Sequence, residues 1–370
     1  MLALAPVFSV LVAGSLIYAV LYPQPYLNEA LRDVPIAVVD QDRTADSRQF
    51  VRNLDASADV AVTAQFFDMP SAERAVYARQ AYGILLIPQH FERDLLHGRQ
   101  SPVAIYGDAS YFLIYQRVAG AVSTVAATMG ASVEAQRLVA ENVDPRIAGA
   151  AVDPMPLTAV PLFNPEGGYA TYILPAAFGL VLQQILLIAV CLLGTLPTSE
   201  ATPRHGAIAT VLGKLLAYLL VECVLLPMYL IALPYLYGLP HLGNPLVLLG
   251  FALPFVLAVG GLGMVIARLL RHPLSVQLAV ASIGLPIFFL SGSSWPTEAI
   301  PPALHALSVL IPSTSAITGF VRINQTGADL FEVRPEFLTL WGLALVYGLL
   351  AMLLQPAPRR TGTAEPLPPG

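Results

Sequence analysis

The chain has 370 residues, of which 56% are hydrophobic and only 12% charged, and its formal net charge is −5. A soluble globular domain carries about 25% charged residues, so a mean hydropathy of +0.67 describes a chain built mostly for lipid. The negative balance, with no basic run, argues against a nucleic-acid partner. Charge is also unevenly placed: residues 23–168 hold 11 of the 19 basic and 17 of the 24 acidic residues. That pattern is one polar insertion inside a hydrophobic protein.

In chain order, the run over 3–22 comes first and matches the roughly 20 apolar residues a spanning helix needs. It has no basic n-region, which favours an uncleaved anchor over a signal peptide. Behind it "VPIAVVD" predicts a buried strand over 34–40. Asp40 and Asp42 mark the turn, and Thr44 stands at the N-cap position of a helix over 44–55. The spacing continues with strand 60–66, helix 70–80, strand 82–87, helix 88–98, strand 102–107 and a long helix of about 110–140. An extended return, "PMPLTAVPLFNPEGGY", closes the insertion. Such alternation predicts a small α/β sheet with some parallel pairing. The stretch 111–133 is apolar but carries Gln116 and Arg117. A central Arg costs about 2.5–3.5 kcal/mol in a span, so this stretch is read as an amphipathic helix of the insertion.

Enzyme chemistry has no foothold here. There is no G-x-S-x-G, no H-E-x-x-H and no C-x-x-C. Asp40, Asp42 and Asp46 could hold a cation, but turn and capping chemistry accounts for them. His90 and His97 are seven apart on one predicted helix and lack a third ligand. Cys191 and Cys223 fall in apolar segments and read as small buried hydrophobes, so no metal site is expected.

Five further spans are predicted, at 169–195, 211–236, 245–267, 274–291 and 337–354. With an inside amino terminus, the inside loops contain Arg204, Lys214, Arg268, Arg271, Arg359 and Arg360, and the 292–336 loop has only Arg322 and Arg334. This satisfies the positive-inside rule, and a seventh span at 111–133 would break it. The expected fold is therefore a membrane α-helical protein of six transmembrane helices, with an extracytoplasmic α/β domain inserted between the first and second. Its parts are a first transmembrane helix at 1–22, the α/β domain at 23–168, a five-helix membrane domain at 169–355 and a Pro-rich cytoplasmic tail at 356–370. Both termini would face the cytoplasm. The segment 292–336 is too apolar for water and too broken by proline to span, so it is expected to re-enter the membrane from outside. Inside the third span Glu222 is an intramembrane carboxyl. It is either a structural group hydrogen-bonded between helices or a contact for cargo. The glycines of "GGLGMVIARLL" suit close helix packing.

Taken together, "LYPQPYLNEALRDVPIAVVDQDRTADSRQFVRNLDAS", "LGKLLAY" and "LSGSSWPTEAIPPALHALSVLIPSTSAITGFVRI" resemble the permease subunits of ABC-2 type exporters over nearly the whole chain. The last stretch resembles the family's external signature, here Pro296, Glu298, Pro301 and Pro312. The resemblance implies a multi-pass permease of the bacterial inner membrane, acting as a homodimer or with a sister permease. ATP and Mg would be bound by a separate cytoplasmic ABC ATPase subunit, because this chain has no G-x-x-x-x-G-K-[ST] and holds no cofactor itself. A periplasmic adaptor is a further expected partner, beside the lipid bilayer. The ATPase-coupling loop would be 197–210, with Thr198, Ser199, Glu200, Arg204 and His205. The family's charged E-R-E-x-G-T order is not present there, and its amphipathic helix ahead of the first span is absent from this sequence. The implied function is export of a small amphipathic or drug-like molecule. A membrane-anchored receptor or phage-docking protein is the alternative reading.

Overall fold

A computed structural model of the chain describes residues 7, 9–27, 31–157, 160–164, 167–196, 206–292, 295 and 299–355. Contacts divide it into Ala30–Val160 and a second unit made of Met1–Glu29 with Pro161–Gly370.

In the first unit, "VPIAVVD" forms β1 (Val34–Asp40), one of the two inner strands of a four-stranded sheet. The other strands are β2 (Val60–Phe66), β3 (Gly83–Ile87) and β4 (Ala104–Gly107), in the order β2-β1-β3-β4. β1 pairs parallel with β2 and β3, whereas β4 runs antiparallel to β3. The period-two geometry of a strand covered on both faces explains why β1 is apolar from Val34 to Val39. Ile36 and Val38 join a core with Phe50, Leu54 and Leu85. The alternate residues Ala37 and Val39 join a separate one with Ala72 and Ile84.

The helices of this unit are α2 (Ala45–Asp55), α3 (Met69–Tyr77), α4 (Phe91–Leu96), α5 (Phe112–Ala140) and α6 (Pro145–Val152), after α1 (Ser15–Leu21) of the other unit. α2 starts on a reciprocal cap: Thr44 Oγ1 accepts from the Ser47 amide, and Ser47 Oγ accepts from the Thr44 amide. α5 is long and apolar enough to cross a membrane by length and composition alone. Its stripe Ile114, Val118, Ala121, Val122, Val125, Ala126 and Met129 nevertheless packs into the core that holds Ile36 and Leu54. Arg117, on the same helix, pairs with Asp59 at 3.2 Å. The expected helix over 88–98 shortens to α4. His90 sits just before it in the left-handed conformation and His97 just after it. They are end residues of the helix, not neighbours on one face.

In the second unit, a π-helical turn (Ser9–Gly14) leads into α1, so the run expected at 3–22 is helical from Ser9 to Leu21. The remaining spans are α7 (Tyr169–Thr195), α8 (Ala207–Pro227), α10 (Pro245–Leu270), α11 (Pro273–Leu290) and α14 (Arg334–Leu353). α8 continues through a π-helical turn (Met228–Ala232) into the short α9 (Leu233–Leu236). Among the described residues six helices pass the length and composition test for a span, namely α5, α7, α8 continued through α9, α10, α11 and α14; the helical part of the expected first span, Ser9–Leu21, is not one of them.

α10 occupies the middle of the bundle, and the glycines at its centre explain how. A Cβ on Gly260 would meet Leu215 and Tyr218 of α8. On Gly261 it would meet Tyr347 and Gly348 of α14, and on Gly263 Val190 and Leu187 of α7. Three glycines within four residues face three different helices. Lipid offers no hydrophobic drive to associate, so close backbone approach supplies the packing that holds such a bundle.

Candidate functional site

The segment 292–336 contains α12 (Pro302–Ser308) and α13 (Pro312–Thr326), bent by 84° at the break between them. Pro301 stands at the N-cap of α12. Pro312 is the first residue of α13, where its missing N–H costs nothing. Pro296 and Glu298 lie outside the described residues. The bend reaches far into the bundle. Tyr347 Oη donates to the Leu310 carbonyl (2.6 Å), and Tyr347 lies about 20 Å along α14 from Arg334 at 1.5 Å per residue. The Ser313 amide donates to Gln183 Oε1 (2.7 Å), and Gln183 lies about 21 Å along α7 from Tyr169. The pair turns back at this depth with α12 exposed on the outside of the bundle, and α13 returns alongside α7 toward the Tyr169 end.

The start of α13 is polar and closed. Gln183 and Ser313 are fully buried. Gln183 Oε1 caps one of the amides a helix start leaves open. Gln183 Nε2, Ser313 Oγ and Thr314 Oγ1 have no hydrogen-bond partner among the described residues. The other end of α13 is fully engaged. Asn324 Nδ2 donates to the Leu230 carbonyl (3.1 Å), and Gln325 Nε2 donates to the Thr171 carbonyl. The Asn324 carbonyl accepts from the amides of Leu242 (2.7 Å) and Gly243 (3.3 Å). Nearby, Arg322 pairs with Glu336 at 3.0 Å. A cavity of about 260 Å³ lies against this end, with Leu230, Tyr235, His241, Gly243 and Asn324 among its walls.

Glu222 is 1% exposed and sits on the buried stripe of α8 with Leu215, Tyr218 and Leu225. Neither carboxyl oxygen has a hydrogen-bond partner among the described residues. The interhelical hydrogen bond of the structural reading is therefore not found. Thr198, Ser199, Glu200, Arg204 and His205 of the expected coupling loop lie outside the described residues.

In the α/β unit the acidic turn is explained by local bonding. Asp40 accepts from the amides of Asp42 and Arg43 and from Ser47 Oγ. Asp42 accepts from Thr44 Oγ1 (2.7 Å), the His90 amide (2.8 Å) and the Glu92 amide (2.9 Å). Burial pulls the Asp42 carboxyl up, but hydrogen bonds from the Glu92 amide, the Thr44 hydroxyl and the His90 amide outweigh it and hold the group below its ordinary value. Asp46 is pushed the other way, by burial first and then by the charges of Glu92 and Asp42. Among the described residues no group of three or more His, Cys, Asp or Glu is placed to hold a metal.

Sequence reasoning singled out Glu222 and the prolines, and it missed Gln183, Ser313, Asn324 and Gln325. A signal for the last two was present. An Asn-Gln pair in a segment expected to re-enter the membrane is a source of side-chain donors for backbone carbonyls.

Comparison with known proteins finds relatives by sequence. A family model described as "ABC-2 family transporter protein" matches residues 1–353. The linearmycin resistance permease protein LnrN of Bacillus subtilis (strain 168) is 23% identical over 344 residues, covering 86% of this chain and 88% of its own length. The inner membrane transport permease YhhJ of Escherichia coli (strain K12) is 25% identical over 347 residues, with 88% and 85% covered. The probable multidrug ABC transporter permease YbhS of the same organism is 24% identical over 159 residues, with 41% and 42% covered.

Proposed function

This chain belongs to the ABC-2 family of transporter proteins, and on that premise we propose that it is the permease subunit of an exporter driven by a separate ATPase. The family assigns it a multi-pass membrane transport role without catalysis of its own and implies an ATPase partner. The finer reading is that it moves a small amphipathic or drug-like molecule out of the cytoplasm of a bacterium. In that reading both termini are cytoplasmic, the α/β domain lies outside the inner membrane, and two permease chains act together, meeting a periplasmic adaptor where one exists. The ATPase would engage 197–210, through Thr198, Ser199, Glu200, Arg204 and His205. The carrying observation is a family match over 1–353. It is supported by the resistance and multidrug roles in the names of two relatives and by a distribution of Lys and Arg that satisfies the positive-inside rule.

The test is reconstitution with candidate cytoplasmic ABC ATPase subunits from the same genome. Inverted vesicles should take up an amphipathic dye when ATP is added, and vesicles of native orientation should not. Uptake of the opposite polarity would overturn export, and no ATP-dependent movement of a panel of amphipathic dyes would overturn the assigned cargo class.

A further inference from the structure

Gln183 has one satisfied end and one open end. A backbone amide can only donate, so the 2.7 Å bond from the Ser313 amide fixes Oε1 as the end that accepts at α13. Nε2 shares a carbon with Oε1 and therefore also lies at the start of α13. It carries two N–H groups on a fully buried side chain and has no partner among the described residues. Ser313 Oγ is in the same state, and Thr314 Oγ1 follows on the next residue. The helix start has no amide left to offer. Pro312 lacks an N–H, the Ser313 amide is taken by Gln183, and the Thr314 amide donates to the Ile311 carbonyl (3.1 Å). What remains is a set of side-chain donors at the positive end of a 15-residue helix. Leu310 is 52% exposed whereas Ser313, three residues on, is fully buried, so the bend between α12 and α13 carries the chain from the outside of the bundle to these donors.

We propose that Gln183, Ser313 and Thr314 form a cargo subsite that selects a neutral amphipathic molecule by an acceptor oxygen (carbonyl, ether or hydroxyl) held at the start of α13. The proposal deepens the permease reading above and rests on it. Buried polar groups are normally paired, and three open ones beside each other suit a partner from outside the chain. All three can donate, none carries a formal charge, and the helix dipole disfavours a cation at this end. In an apolar surround an oxygen that meets no donor gives up its water without replacement. A molecule whose oxygen reaches this set is therefore favoured over one without it. Irregular backbone at membrane depth is tolerated where it is buried in protein or lines a cavity, and a helix start there can face a passing polar group. The three atoms are shut off from solvent in this arrangement, so the oxygen enters when the bend moves away from α7.

The test uses the full chain with its ATPase partner in lipid vesicles and two matched amphipathic dyes. One bears a ketone, and the other has a methylene in its place. The ratio of their transport efficiencies is compared between wild type and the double variant Ser313→Ala with Thr314→Val, which keeps the Gln183 bond to the Ser313 amide. Comparing the two proteins cancels the different partition of the dyes into lipid. The preference for the ketone should fall roughly tenfold in the variant, through a higher half-saturating concentration of the ketone dye and with no lower unfolding midpoint. Ser313→Ala alone should move the ratio the same way by a smaller factor. An isotope-labelled carbonyl on the bound dye, read by infrared without ATP, should stretch at lower frequency in wild type than in the variant. An equal ratio in both proteins would overturn the subsite, and joined to a lower midpoint in the variant it would mean a structural water only. The same carbonyl frequency in both would overturn it too. Failure of wild type to move either dye, with the carbonyl shift present, would overturn the permease reading and leave the oxygen site standing.

Discussion

Asp42 in the α/β unit accepts hydrogen bonds from two backbone amides and one hydroxyl, whereas Glu222 in the membrane unit accepts none among the described residues. The two carboxyls have the same chemistry but meet different supplies of donors. Turns and helix starts in the α/β unit leave amides open, and an acid collects them. Inside a span every amide is consumed by its own helix, and the groups left over are carbonyls, freed at prolines and helix bends. Side-chain donors in the bundle therefore find backbone carbonyls more readily than side-chain acceptors find amides, although Gln183 Nε2 has no partner among the described residues. Asn324, Gln325, Tyr229, Tyr237 and Cys191 all donate to backbone carbonyls there. The exception supports the rule, because Gln183 finds a donor only where α13 begins.

Four substitutions break or sharpen this contrast. The largest effect is expected at Gly261, where a side chain would press on Tyr347 and on the backbone of Gly348. Gly261→Val should destabilise the bundle by about 3 kcal/mol or more, read as a lower unfolding midpoint in nanodiscs. A normal midpoint would mean that α10 and α14 do not pack as described.

Glu222→Gln comes next. It keeps the shape and removes the charge. If the starved acceptor serves transport, dye movement should fall roughly tenfold with unchanged expression and unfolding midpoint. Full transport in this variant would leave Glu222 without a transport role.

Asp42→Ala removes an acceptor that ties the β1 turn to the start of α4. It should cost the α/β unit about 1–3 kcal/mol, seen as faster proteolysis within 30–160 while the spans stay protected. The pH dependence has a definite sign. The folded carboxyl titrates below its ordinary value, so the turn's contribution is present above the unfolded value and is lost as pH falls through the folded one. Wild-type protein should show that acid-side loss and Asp42→Ala should not. Parallel acid profiles would remove Asp42 from this account.

The smallest effect is expected at Arg137, whose pairs with Glu134 and Glu141, both 2.6 Å, lie on the surface of α5. Water and salt screen such pairs, and Arg137→Ala should leave the unfolding midpoint within measurement error. A clear drop would show that this part of α5 is covered in the assembled protein.

The five later spans, the α/β order of strand and helix, and the cap at Thr44 were legible in the sequence because they rest on local rules: apolar length, periodicity and side-chain capping within a few residues. Apolar length alone would make α5 a span; Arg117 and the positive-inside count argued against that from the sequence, and the stripe from Ile114 to Met129 is seated on the core of the sheet. His90 and His97 read as one helical face because seven residues match two turns, but α4 is too short to hold both. The partners of the membrane polar groups could not be read at all. Gln325 reaches Thr171 from 154 residues away, Gln183 meets Ser313 from 130, and Asn324 meets Leu230 from 94. An Asn or Gln in an apolar stretch announces from sequence that a side-chain amide needs a partner. Which group it meets is decided by how the helices pack, because a hydrogen bond reaches only about 3 Å and the chain order says nothing about which distant helix lies within that reach.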